Sequence, residues 1–306
     1  MTRHFISISD TAQEDLERIY ELARLRPQGD ELAHVGVSLI FEKPSLRTRA
    51  SSVSAVQQLG GHLCIFTKDE IGLDVRESSE DVARTLAQTS SIVAARVFDH
   101  GVFARMMAAT EEISFINLLS DYAHPAQAVA DVLALADFFG QGDLSSLQGK
   151  RVAYVGDATN VTRSLASSLI RLGVHVVVGA PDGYQLSADD VRVITGQAAR
   201  GGTLTLCDNA PAAAESANAL YTDSWISMGL EAEAAQRRED LRAFQVNSEL
   251  LALADPAVAI LHCLPAHRGE EITDQVLDSA RSLIWSQVHH RTTAMLGILR
   301  WIQEGK

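Results

Sequence analysis

Cysteine is scarce: the 306-residue chain has three, Cys64, Cys207 and Cys263. They are far apart, odd in number and show no C-x-x-C spacing, so neither a disulfide framework nor a zinc site is suggested. Basic residues are also few. There are 26 Lys and Arg against 39 Asp and Glu, a net charge of −13, which argues against nucleic acid as a main partner, because a phosphate backbone needs a basic face. A small anion is not excluded, since a local arginine cluster can override the global sign. No apolar run reaches membrane-spanning length, and the opening MTRHFISISD has no apolar signal core. The expectation is a soluble, cytoplasmic protein with no membrane partner. Repeats at solenoid periods and low-complexity tracts are absent. G-x-G-x-x-G is absent too, so a dinucleotide site is not expected.

What remains is a chain too long for one comfortable core, and its pattern alternates between short apolar runs and helical stretches. Runs that read as strands are 35–41, 62–67, 92–97 and 113–117, then 151–155, 174–180, 203–207, 219–222 and 258–262, with a short one at 283–286. Helices are expected over 9–26, after Pro44 to about 59, and over 79–88, 102–109, 126–139, 161–172, 188–200 and 292–303, with a solvated helical segment over 231–242. Residues 69–79 read as a polar loop. The Gly- and Ser-rich stretch 141–149 is the expected boundary. The fold class is therefore α/β in two domains, each a parallel sheet flanked by helices. They comprise residues 1–140 and 150–287, and the C-terminal helix 288–306 returns to the first.

Several loops carry chemistry. In Ser45-Leu46-Arg47-Thr48-Arg49, two hydroxyls and two guanidiniums sit at a helix amino end, where exposed N–H groups and the helix dipole favour an anion; an N-cap with solvated arginines fits the same residues equally well. Arg96 ends an apolar strand, where ligands bind in open α/β sheets, or it is a surface arginine with a buried stem. His124-Pro-Ala-Gln127 opens a helix and puts His and Gln one turn apart. Asn160, in Gly156–Asn160, can bind an amino-acid ligand or cap its helix. Asp223–Gly229 (DSWISMG) and His262–Ile272 (HCLPAHRGEEI) are polar loops after strand-like runs, suited to gripping an amino acid.

FEKPSLRTR, HPAQ, GDATNV, DSWISMG and HCLPAHRGEEIT, in that order, resemble the motif set of the aspartate/ornithine carbamoyltransferase family, and the last three resemble its ornithine branch. The similarity runs from Phe41 to the final helix. It implies a carbamoyl phosphate domain and an ornithine domain, a homotrimer or multiple of trimers with sites at subunit interfaces, and no metal or organic cofactor. The implied reaction is attack of the neutral δ-amine of L-ornithine on carbamoyl phosphate, giving L-citrulline and phosphate. By resemblance, Ser45, Leu46, Arg47, Thr48 and Arg291 hold the phosphate, and Arg96, His124 and Gln127 surround the carbamoyl group. Asn160, Asp223, Ser227, Met228, Cys263 and Leu264 hold ornithine. Arg96, His124 and Cys263 are the expected catalytic residues. No general base stands out, and phosphate is a candidate proton acceptor.

The chain departs from the family at defined points. Leu46 replaces a hydroxyl residue in the phosphate loop, and SLRTR resembles the acetylornithine and succinylornithine branches, whereas the DSWISMG and HCLPAHRG signatures do not. Ser51-Ser52-Val53 replaces Ser-Phe-Glu, and His289-His290 replaces Glu-Asn. In the 69–79 loop, the family glutamine that reaches a neighbouring site falls on Gly72 or on Glu70, according to the alignment. Two other readings are a same-fold carbamoyltransferase for another amine, such as a modified ornithine or a diamine, and a non-catalytic ligand-binding paralogue.

Overall fold

The structure, a computed structural model, describes residues 2–226 and 231–305. The chain divides into two compact units, Met1–Ala130 with Val288–Lys306, and Asp131–Gln287. It passes between them inside two helices, Pro125–Gly140 and Ile284–Gln303. No helix among the described residues is long and apolar enough to cross a membrane.

The first unit is built on four parallel strands, β1 (Gly36–Phe41), β2 (His62–Thr67), β3 (Ile92–Arg96) and β4 (Ser114–Leu119), in the order β2-β1-β3-β4. β3 is buried at every position, as expected of an inner strand covered on both faces. β2, at the sheet edge, alternates between exposed and half-buried residues. The chain moves outward from β1 to β2, then crosses back to β3. That reversal leaves a crevice at the carboxyl ends of β1 and β3, the usual ligand position in such sheets. Below it, Val93, Ala95, Val97, Phe103, Met106 and Phe115 belong to one buried cluster.

The second unit repeats the plan with β5 (Arg151–Val155), β6 (His175–Gly179), β7 (Thr203–Cys207), β8 (Ala219–Thr222) and β9 (Ala259–His262), in the order β7-β6-β5-β8-β9, all parallel. Its reversal falls between β5 and β8. Alanines carry much of its close packing: Ala210, Ala213, Ala214 and Ala217 bring the following turn tightly onto β5 and β6.

The closing helix packs on the amino-terminal helix Gln13–Ala23 of the first unit. Arg300 Nη1 donates to the carbonyls of Leu22 (2.8 Å) and Leu25 (3.0 Å), capping that helix's carboxyl end. Trp301 Nε1 donates to Asp15 at 2.8 Å. Gly297 permits the approach, because a Cβ there would lie 2.5 Å from the Ile19 carbonyl oxygen.

Three local expectations need correction. Residues 283–286 are not a strand: Ser282 makes one bridge to Ile260, and the helix begins at Ile284. The apolar run Leu283-Ile284-Trp285 is too short to have a period of its own, and here it supplies the start of a helix that buries Ile284 and leaves Trp285 exposed. The 69–79 stretch contains a helical turn, Lys68–Ile71, closed by a reciprocal bond in which Glu70 accepts from the Thr67 N–H at 2.6 Å. The helix expected over 188–200 stops at Thr195, before Gly196.

Candidate active site

In the first unit the site is assembled by the ends of β1 and β3 and by two helix segments. Glu42 N–H donates to the Arg96 carbonyl at 3.0 Å, so the chain leaving β1 stays beside the end of β3. Ser45 then caps the helix Leu46–Gln58: its hydroxyl accepts from the Thr48 N–H (3.4 Å) and donates to Thr48 Oγ1 (3.0 Å). No acidic residue occupies the first turn, so nothing on the helix itself neutralises its positive amino end. Thr48 is buried, Arg47 is half-buried, and Leu46 is 80% exposed.

Arg96 is buried at the last position of β3, where the pairing with β4 shifts register. Such an irregularity re-aims a side chain. His124 and Gln127 are buried around the start of the helix Pro125–Gly140. Arg291, from the closing helix, joins them. Its Nη2 donates to Thr48 Oγ1 at 3.0 Å, and its Nη1 bonds to Gln127 Oε1 and lies 3.0 Å from His124 Nε2. A guanidinium can only donate, so Nε2 accepts and the imidazole proton sits on Nδ1. Burial, followed by the charges of Arg291, Arg96 and Arg47, holds the His124 pKa well below its ordinary value. His124 is therefore a neutral imidazole among three guanidiniums. Such a pocket suits a compact dianion and supplies an uncharged donor next to it.

Within the second unit the loops after β5, β8 and β9 carry the predicted residues. Asp223 follows β8, and its Oδ1 accepts from the Ser224 N–H at 2.8 Å and from the Cys263 thiol at 2.7 Å. Burial raises its pKa, opposed by the nearby His262 and the Cys263 bond. Cys263 and Leu264 are half-buried after β9. Leu264 has φ +58°, in the left-handed region, and its N–H donates to His262 Nδ1 at 2.8 Å. His262 Nε2 lies 3.1 Å from Glu271 Oε1, which also accepts from the His267 N–H at 2.5 Å. Both His262 nitrogens are thus committed: Nδ1 accepts and Nε2 donates. The donor atoms of Asp223, His262 and Cys263 lie within 4.8 Å of one another, but those of His262 and Cys263 are engaged in internal bonds that a metal would have to displace.

Asn160 is half-buried at the first position of the helix Asn160–Arg171, and its Oδ1 accepts from the Val161 N–H at 2.9 Å. Ser227 and Met228 lie outside the described residues.

Supporting side chains escaped the sequence reading. Arg237 Nη1 donates to Asp157 at 2.7 Å and to the Trp225 carbonyl at 3.2 Å, tying the turn before Asn160 to the segment after Asp223. The Gln287 amide donates to Asp131 at 2.7 Å and accepts from the His262 N–H at 3.0 Å, and the Tyr221 hydroxyl donates to Asp131 at 3.0 Å. The available signal was Asp131, a charged residue inside the otherwise apolar helical run 128–136.

The chain is similar over nearly its whole length to known proteins. The family model described as aspartate/ornithine carbamoyltransferase, carbamoyl-P binding domain, matches residues 3–137. The one described as the Asp/Orn binding domain of the same family matches residues 148–302. The anabolic ornithine carbamoyltransferase of Pyrococcus furiosus is 37% identical over 316 residues, covering 99% of this chain and 97% of that protein. The ornithine carbamoyltransferase of Mycolicibacterium paratuberculosis is 37% identical over 309 residues, covering 99% and 98%. A solved structure of the Pyrococcus furiosus ornithine carbamoyltransferase superposes with a TM-score of 0.91 at 35% identity, covering 100% of this chain and 98% of that one.

Proposed function

Because the chain belongs to the aspartate/ornithine carbamoyltransferase family, we propose that it transfers the carbamoyl group of carbamoyl phosphate to the δ-amine of L-ornithine, giving L-citrulline and phosphate. The observation that carries this reading is the buried Arg291–Thr48–Gln127–His124 cluster at a helix amino end. It is an anion site with a neutral donor built in.

The residues perform the chemistry as follows. The phosphate group lies against the amino end of Leu46–Gln58, held by the Ser45 and Thr48 hydroxyls, by the main-chain N–H of Leu46, and by Arg47 and Arg291. Arg96, Gln127 and the Nδ1–H of His124 address the carbamoyl group. Donors aimed at its carbonyl oxygen stabilise the charge that develops as the neutral amine adds to the carbon. One such donor is worth about 3 kcal/mol. The tetrahedral intermediate collapses by breaking the carbon–oxygen bond to phosphate. His124 is a poor base here, because protonating it would add a charge beside three guanidiniums. The departing phosphate takes the amine proton instead. Asp223 pairs with the α-ammonium of ornithine, which offsets the burial that otherwise disfavours its charged form. Asn160 takes the α-carboxylate with main-chain amides, Ser227 and Met228 complete the grip, and Cys263 and Leu264 flank the side chain. No metal or organic cofactor enters.

The active assembly is a cytoplasmic homotrimer or a multiple of it. The exposed Leu46 motivates a second reading, a carbamoyltransferase for a modified ornithine, since an apolar side chain stands there at the phosphate helix. A citrulline assay with carbamoyl phosphate and a panel of amines tests both. Turnover with L-ornithine supports the first reading, and turnover only with another amine supports the second. Ligand binding without turnover would leave a non-catalytic paralogue.

A further inference from the structure

The loop after β9 contains a second group of donors, and it plays no part in the reaction above. His267, Glu270 and Glu271 each bring one ligand atom, and these atoms lie within 4.8 Å of one another. We propose that they form a binding site for a borderline divalent transition cation of the Zn²⁺ or Co²⁺ kind.

Two carboxylate oxygens carry the argument. Glu271 is completely buried; its Oε1 is used twice, by His262 and by the His267 N–H, but its Oε2 is buried with no hydrogen-bond partner. Glu270 shows the same division. Its Oε1 is 3.0 Å from Arg238 Nε, and its Oε2 is buried with no hydrogen-bond partner. Buried polar atoms are rarely left unsatisfied in folded proteins, and anionic oxygens least of all. Here two neighbouring glutamates each keep one such oxygen, in a group whose ligand atoms lie within 4.8 Å of one another, and His267 Nδ1 is 3.7 Å from Glu271 Oε2. Arg238 offsets one of the two negative charges, and the remaining one favours a cation.

The donor set defines its class. One imidazole and two carboxylates suit Zn²⁺ and its neighbours better than Ca²⁺ or Mg²⁺, which take oxygen alone. The donors must draw in slightly to share one ion, and the loop is already shaped for that. Gln245 donates to the carbonyls of Gly269 (2.9 Å) and Glu270 (2.8 Å), while Arg268 is held by Asp274 and Asp278 at 2.6 Å each. His267 Nδ1 now lies 3.0 Å from Ser224 Oγ. The cation would replace that contact, with the imidazole proton moving to Nε2.

The test uses the full chain carrying Cys263→Ser, which removes the thiol as a competing ligand. Chelator-treated protein is titrated with Co²⁺ by equilibrium dialysis and visible absorption. The expected result is one Co²⁺ per chain, displaced by Zn²⁺, with affinity reduced at least tenfold by His267→Ala and by Glu270→Gln. Circular dichroism checks that each variant folds, and Glu270→Gln, which keeps the Oε1 acceptor for Arg238, decides alone if His267→Ala does not. Absence of Co²⁺ binding in the Cys263→Ser chain, or undiminished binding in a folded variant, would overturn the site. Neither outcome depends on carbamoyl transfer.

Discussion

Arg291 Nη1 approaches His124 Nε2 at 3.0 Å, and this contact sets which histidine nitrogen carries the proton. The same guanidinium bonds to Gln127 and Thr48, so one side chain ties the amino end of Leu46–Gln58 to the His124–Gln127 turn, the proposed phosphate and carbamoyl ends of the pocket. Arg291→Lys keeps the charge but cannot make this planar set of bonds. Its expected effect is a fall in kcat of about 10²-fold, by the worth of one lost transition-state donor, together with a higher KM for carbamoyl phosphate. Steady-state kinetics with carbamoyl phosphate varied checks it, and wild-type constants would remove Arg291 from the site.

Arg96 is buried at the end of β3, and its charge helps depress the His124 pKa. Arg96→Ala removes a charge and no apolar core side chain, so it should lower turnover by about 10²-fold or more and leave the fold intact. Activity and far-ultraviolet circular dichroism on one preparation check both halves. Near-normal activity would end its assigned role.

The depressed pKa of His124 has a consequence for stability. In the unfolded chain this histidine titrates near its ordinary 6.5, whereas in the folded chain it stays neutral to well below that. Below pH 6.5 the unfolded state therefore binds the extra proton. Stability is full above that pH and falls as the pH drops towards the folded value, with a slope approaching 1.4 kcal/mol per unit, about the value for one proton. Denaturant unfolding of wild type and His124→Gln between pH 7 and pH 5 measures the difference in slope. Equal slopes would mean that His124 is not held neutral.

Much of this architecture was legible in the sequence, and the reason is physical. β3 and β6 are short apolar runs bounded by polar loops, and β2 was readable to the residue because Gly60-Gly61 and the 68–79 polar stretch bracket it. The loops of the candidate site stand out in the sequence because their functional groups reside in contiguous residues: FEKPSLRTR holds a cap, a hydroxyl and two guanidiniums within one turn. Bonds across sequence were not legible. Nothing local in Gln287 announces that it serves the His262 N–H, and nothing in Arg237 points to Asp157, eighty residues earlier. Residues 283–286 misled because a brief apolar run fits a strand and a helix start alike.

The proposed ornithine half turns on the Asp223 carboxylate. Asp223→Asn retains an oxygen to accept from the Cys263 thiol and the Ser224 N–H but loses the carboxylate. The KM for L-ornithine should rise by about 10²-fold, in line with a loss of roughly 3 kcal/mol for a buried charge-assisted bond, while the KM for carbamoyl phosphate changes little. Varying each substrate at saturation of the other separates the two. An equal rise in both constants would indicate a structural fault rather than a lost ammonium partner.

Leu46 offers the reverse experiment, a gain. Its side chain is 80% exposed at the first position of the phosphate helix, so Leu46→Thr removes no packing. Stability should change by no more than about 0.5 kcal/mol, as for other exposed positions. The added hydroxyl stands beside those of Ser45 and Thr48, where it can donate to a phosphate oxygen. The KM for carbamoyl phosphate should fall several-fold, by about the 1 kcal/mol of one net hydrogen bond, with kcat and thermal midpoint little changed. If instead the variant loses activity with L-ornithine, or gains it with an acylated ornithine, Leu46 belongs to acceptor selection and the phosphate loop works without a third hydroxyl.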